Sequence, residues 1–95
     1  MVRTLLLIPN EMNKELADSL IKIQSDSMLS TEGCLWVDVS NGPIMSPTGP
    51  TPYARIFNAG WESLDKFIYW AQHVADNDSK DQLLAGGAQL MFYEL

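Results

Sequence analysis

One cysteine and one histidine are all that the 95-residue chain offers of the side chains that most often build disulfides and transition-metal centres. Cys34 has no second thiol to pair with, and a lone cysteine with a lone histidine leaves no cluster for zinc or iron, so neither a disulfide nor a metal is expected. Basic residues are also scarce: six Lys and Arg against twelve Asp and Glu give a net charge of −6, with no basic run. A phosphate backbone would be repelled, which excludes nucleic acid as a partner. Long apolar runs are missing too. LLLI, Leu5 to Ile8, stops at Pro9, is far too short to span a membrane, and is followed by no small-residue cleavage site, so the reading is cytoplasmic, with no membrane partner. There is no Gly-rich phosphate loop and no G-x-S-x-G turn. The acidic stretch DNDSKD, Asp76 to Asp81, lacks the glycine and distal glutamate of a calcium loop and reads as a solvated corner.

What is present is an ordinary globular composition, 46% hydrophobic and 19% charged, in a single domain over 1–95. VRTLLLI, Val2 to Ile8, is apolar on both faces and predicts a central strand. Asn10 is the expected N-cap of a helix from about Glu11 to Met28, with Met12, Leu16, Leu20 and Ile23 at helical spacing. GCLWVDVS predicts a second strand, with Leu35, Val37 and Val39 on one face and Cys34, Trp36 and Asp38 on the other. Asn41-Gly42-Pro43 signals a turn, and four prolines and two glycines make the segment 42–52 a long hairpin loop. YARIFNAG is the third strand, with Tyr53, Arg55 and Phe57 sharing a face. Trp61 to about Asp76 is the second helix, with Leu64, Phe67, Ile68, Ala71, Val74 and Ala75 as its buried stripe and a short helical continuation around Lys80 to Ala85. AQLMFYEL closes the chain as a fourth strand.

The order βαββαβ predicts a ferredoxin-like α+β fold: a four-stranded antiparallel sheet with both helices on one face. Two helices cover only one face, yet the strands carry large apolar residues on both. The face carrying Trp36 and Arg55 is therefore expected to pack against a second copy of the chain, making a homodimer.

The EGC turn at Glu32 to Cys34 and the tryptophan-led segment NAGWESLDKF resemble the antibiotic biosynthesis monooxygenase family of dimeric α+β barrels, over nearly the whole chain except 42–52. The resemblance implies a cofactor-independent monooxygenase acting on an aromatic, polyketide-like substrate, with no metal and no flavin. It also implies that Asn58 and Trp61 stabilise the substrate oxyanion as it gives an electron to oxygen. A haem-degrading branch uses an Asn, Trp and His set, but helical spacing turns His73, the one histidine, towards solvent.

The residues themselves leave alternatives open. Asn58 and Trp61 are both hydrogen-bond donors suited to a developing negative charge, with Trp36, Phe67 and Trp70 as flat apolar walls. Equally, Asn58 could end the third strand, Trp61 could staple helix to sheet, and Trp70 could pack at a dimer edge. Arg55 could clamp a substrate carboxylate or oxyanion, or form an ion pair with Asp38 on the neighbouring strand or an acid of a partner. A non-catalytic ligand-binding or cyclase-like dimeric module of the same superfold is the competing function, because fold alone does not choose.

Overall fold

The computed structural model describes residues 1–40 and 42–95; the Asn41 part of the expected turn lies outside the described residues. Strand β1 (Val2–Pro9) alternates as expected, Val2, Thr4, Leu6 and Ile8 buried and Arg3, Leu5 and Leu7 half-buried. After it come α1 (Lys14–Leu29), β2 (Cys34–Val39), β3 (Met45–Ser46), β4 (Gly49–Pro50), β5 (Tyr53–Trp61), α2 (Leu64–Tyr69), a π-helical turn (Trp70–Val74), α3 (Asn77–Ala85) and β6 (Gln89–Glu94). The main sheet is antiparallel in the order β2-β5-β1-β6, with β1 central, which is the ferredoxin-like arrangement. No helix among the described residues is long and apolar enough to cross a membrane.

Helix α1 starts three residues later than the Asn10 signal predicts. Asn13 is the cap, its Oδ1 accepting from the Leu16 N–H at 2.9 Å. Asn10 instead ties the end of β1 to the proline-rich segment, donating from its backbone N–H to the Pro52 carbonyl and from Nδ2 to the Thr51 carbonyl. The buried stripe is accordingly Ala17, Leu20, Ile21, Gln24 and Met28, while Leu16 and Ile23 face outward.

Strand β2 holds a bulge. Cys34 pairs with Trp61 and Trp36 with the adjacent Gly60, so Leu35 is the extra residue, and the alternation slips by one. Cys34 therefore joins Val37 and Val39 on the helix side, and burial raises its thiol pKa. Trp36 and Asp38 remain on the open face. The Trp36 indole lies across Gly60, where any Cβ would collide with it.

The 42–52 segment is not wholly irregular. It folds back as the two-residue strands β3 and β4, closed at the base by Thr51 N–H to Ile44 O at 2.9 Å and Ile44 N–H to Tyr53 O at 3.1 Å. Met45, paired with Pro50, is exposed. Removing 45–50 and joining Ile44 to Thr51, which are already hydrogen-bonded, is expected to leave cooperative unfolding intact and the melting temperature within about 5 °C, since few apolar contacts go with it. Loss of a cooperative thermal transition would show the hairpin to be structural.

The largest departure from expectation is at the second helix. Trp61 is the last residue of β5, not the start of a helix. Ser63 is the cap of α2, its Oγ accepting from the Lys66 N–H. One turn later the ladder widens: the Ala75 N–H reaches back to the Trp70 carbonyl at 2.8 Å, an i to i+5 bond. The buried stripe differs from expectation: Phe67 and Trp70 are buried while Ile68 and Val74 are exposed. Asp76 then caps α3 by accepting from the Ser79 N–H at 2.9 Å, and that hydrogen bond holds the Asp76 carboxyl below the usual carboxylate range.

Candidate functional site

Between the helix-side face of the sheet and the helices lies a cavity of about 60 Å³. Its floor is Thr4 and Leu6 of β1 with Phe57 of β5. Gln24 and Met28 of α1, Trp70 and Ala71 of the π-helical turn, and Leu83 and Leu84 of α3 make the walls; Leu90 of β6 and Lys80 complete the rim. Strand alternation puts Thr4, Leu6 and Phe57 on this side, and the π-helical turn aims Trp70 and Ala71 at it. The lining is almost wholly apolar, and Leu84 and Leu90 are each nearly half exposed, so the cavity opens to the surface between α3 and β6.

Beside it sits an aromatic cluster: Trp61 lies 5.8 Å from Phe67 and 5.9 Å from Trp70 between ring centroids, and Phe92 reaches Phe67 at 5.8 Å. The Trp70 Nε1–H donates to Ser27 Oγ at 3.0 Å. The Trp61 Nε1–H is buried without a partner among the described residues. Gln24, also buried, uses both amide hydrogens, Nε2 donating to the Asp76 carbonyl at 3.1 Å and to Ser79 Oγ at 2.6 Å, which joins α1 to α3 and leaves Oε1 without a partner. A buried polar group without a partner costs about 1–3 kcal/mol.

The structure brings together Trp61, Phe67 and Trp70, but not Asn58. Asn58 and Trp61 stand three apart in one strand and so point to opposite faces. Asn58 lies on the open face between Leu5 and Asp38, its neighbours in register. Trp36 is on that face as well, with the Arg3 guanidinium held 5.3 Å from its ring centroid and 5.9 Å from that of Tyr93. A ligand bound on one side of the sheet meets Trp61 or Asn58, not both.

Arg55 is elsewhere again. It shares the helix side with Phe57 and forms an ion pair with Asp18 of α1, not with Asp38, while Lys14 approaches the same carboxylate at 3.9 Å. The expected face carrying both Trp36 and Arg55 does not exist, because the two residues lie on opposite sides of the sheet. Arg55 borders a separate hollow of about 270 Å³ near Pro9, Met12 and Pro43. His73 is exposed and stacks on Tyr69 at 5.0 Å. The described residues contain no group of three His, Cys, Asp or Glu placed to hold a metal ion.

Gln24, Thr4 and Ser79 were not singled out by sequence reasoning. Gln24 falls at the i+4 position from Leu20 on the buried stripe, and a polar residue at that spacing is the one signal that could have found it.

No family model matches the chain, and no curated protein matches it by sequence. Solved structures do match in fold. SnoaB, a cofactor-independent oxygenase from Streptomyces nogalater, superposes with a TM-score of 0.75 at 9% identity, over 99% of this chain and 91% of that one. A Deinococcus radiodurans protein assigned to the antibiotic biosynthesis monooxygenases gives 0.71 at 17% identity over 100% and 92%. A hydroxynitrile lyase from Passiflora edulis gives 0.75 at 9% identity over 99% and 92%. The chain thus has a ferredoxin-like α+β fold of the antibiotic biosynthesis monooxygenase type. At these identities the likeness is one of fold.

Proposed function

We propose that the protein is a small cofactor-independent monooxygenase of an aromatic, polyketide-like substrate, bound in the cleft between sheet and helices. The observation that carries this reading is the apolar cavity walled by Phe57 and Trp70, in a fold shared with a cofactor-independent oxygenase; the buried Trp61, whose N–H has no partner among the described residues, packs behind Trp70 with ring centroids 5.9 Å apart. Excluding water strengthens the interactions that stabilise a developing charge and keeps reactive intermediates from side reactions, and an apolar slot does that. The Trp61 indole is the donor on the cleft side of the sheet, positioned by Phe67 and Trp70, and is the residue to which oxyanion stabilisation is assigned. Asn58 belongs to the opposite face. At about 60 Å³ the slot takes the leading edge of one ring, and the remainder of a larger substrate lies in the mouth between Leu84 and Leu90.

The working form is proposed to be a homodimer in which a second copy covers the open face of Leu5, Leu7, Trp36, Ile56, Met91 and Tyr93. Those side chains have no cover from the chain's own helices.

Oxygen consumption with a panel of polycyclic phenols in metal-free buffer tests the activity: uptake with stoichiometric product is expected. Saturable binding with no uptake would select the competing reading, a ligand-binding or cyclase-like module. The lyase of the same fold is a reminder that this architecture also serves chemistry of another class.

A further inference from the structure

We infer that the cleft selects an amphiphilic monoanion, with its apolar end in the cavity and its anionic group against the Lys80 ammonium at the mouth. The inference rests on the reading of the cleft as a ligand site and adds the polarity of the ligand and the residue that reads it.

The cavity wall offers almost no polar atom, so the part of a ligand that enters is uncharged and largely hydrocarbon when it binds, a phenol losing its proton only as the reaction begins. Lys80 nevertheless lines it. A lysine on an apolar wall contributes its methylene stem and carries its ammonium outward, here to the rim that Leu84 and Leu90 share. None of the four ion pairs among the described residues involves Lys80. In a chain of net charge −6, a cation without a carboxylate in contact, placed at the entrance of an apolar cavity, is a complementary end for one negative charge. Asp76, Asp78 and Asp81 surround Lys80 in sequence, and the carboxylate one helical turn before it, that of Asp76, is engaged in capping at Ser79. One ammonium offsets one negative charge, and a second would find no cation in the cavity lining to meet it.

The test uses 2-naphthoate and its neutral isostere 2-naphthamide, neither of which needs to react, with binding followed by calorimetry and by the Trp70 indole resonance. The wild type is expected to bind the carboxylate about tenfold more tightly than the amide, with Lys80→Arg keeping the preference and Lys80→Met reducing it to less than about threefold. Equal binding of the two probes by the wild type would overturn the inference without any variant. So would a preference that survives Lys80→Met, or binding of neither probe. Failure of the oxygenase reading is separable: Lys80-dependent naphthoate binding with no oxygen uptake from any phenol leaves this inference standing. Uptake from phenols with no charge preference removes this inference alone.

Discussion

Replacing Trp61 with alanine is expected to lower folding stability by about 3 to 5 kcal/mol, the range for deleting a buried aromatic side chain. A domain of this size has a total stability on the order of 5 to 15 kcal/mol, so the variant should sit at the edge of folding at 37 °C. Trp61 is fully buried and contacts both Phe67 and Trp70, and truncation opens a cavity that the flanking strand pairs, to Val2 and Cys34, hinder from collapsing. Urea denaturation measures the loss; a midpoint unchanged from wild type would mean that the aromatic cluster is not core. Trp61→Phe separates packing from chemistry. The indole N–H has no partner among the described residues, so its removal breaks no hydrogen bond there, and the cost should be less than half that of alanine. A ligand that uses this N–H should nevertheless lose affinity or turnover by about 10²-fold, the usual scale for one oxyanion donor.

The strand and helix order was legible because burial repeats with simple periods. β1 reads as a leucine-rich run apolar on both faces and stopped by Pro9, and α1 as a helical stripe, although the phase of that stripe depends on which asparagine is the cap, and Asn13, not Asn10, takes that place. The site was less legible, for a local reason. Gly60 reads as a strand breaker, yet here glycine keeps the strand going, because its missing Cβ leaves room for the Trp36 indole. With β5 continued to Trp61, the separation of three from Asn58 places them on opposite faces, a consequence that was available from the spacing once the strand length was known. The bulge at Leu35 and the π-helical turn at Trp70 carry no comparable signal: each is a choice of backbone hydrogen bond made by tertiary packing.

Met91→Glu is expected to weaken self-association by about 10²-fold or more while leaving the fold of each chain in place. Met91 stands opposite Leu5 on the open face and is almost half exposed in the single chain, so the monomer tolerates a charge there. In a face-to-face pair the same charge is buried without a partner, which costs several kcal/mol. Light scattering at micromolar concentration should give a dimeric mass for the wild type and a monomeric one for the variant. A monomeric wild type removes the dimer altogether. The register of the pair is addressed by the two charges on the face. Arg3 is sandwiched by Trp36 and Tyr93, donates from Nη1 to the Tyr93 hydroxyl at 3.2 Å, and has a buried Nε without a partner; it takes part in none of the four ion pairs among the described residues. Asp38 is exposed on the same face, two strands away across β5. In a two-fold interface whatever one copy offers the other receives, so Arg3 of each chain meeting Asp38 of the other would satisfy both charges twice over. Asp38→Arg alone should therefore dissociate the dimer by placing like charges together, and adding Arg3→Asp should restore it. Restoration by the double exchange, read as mass against concentration, is an outcome that loss of general apolar contact does not produce; failure of the exchange to restore the dimer would place the two charges apart.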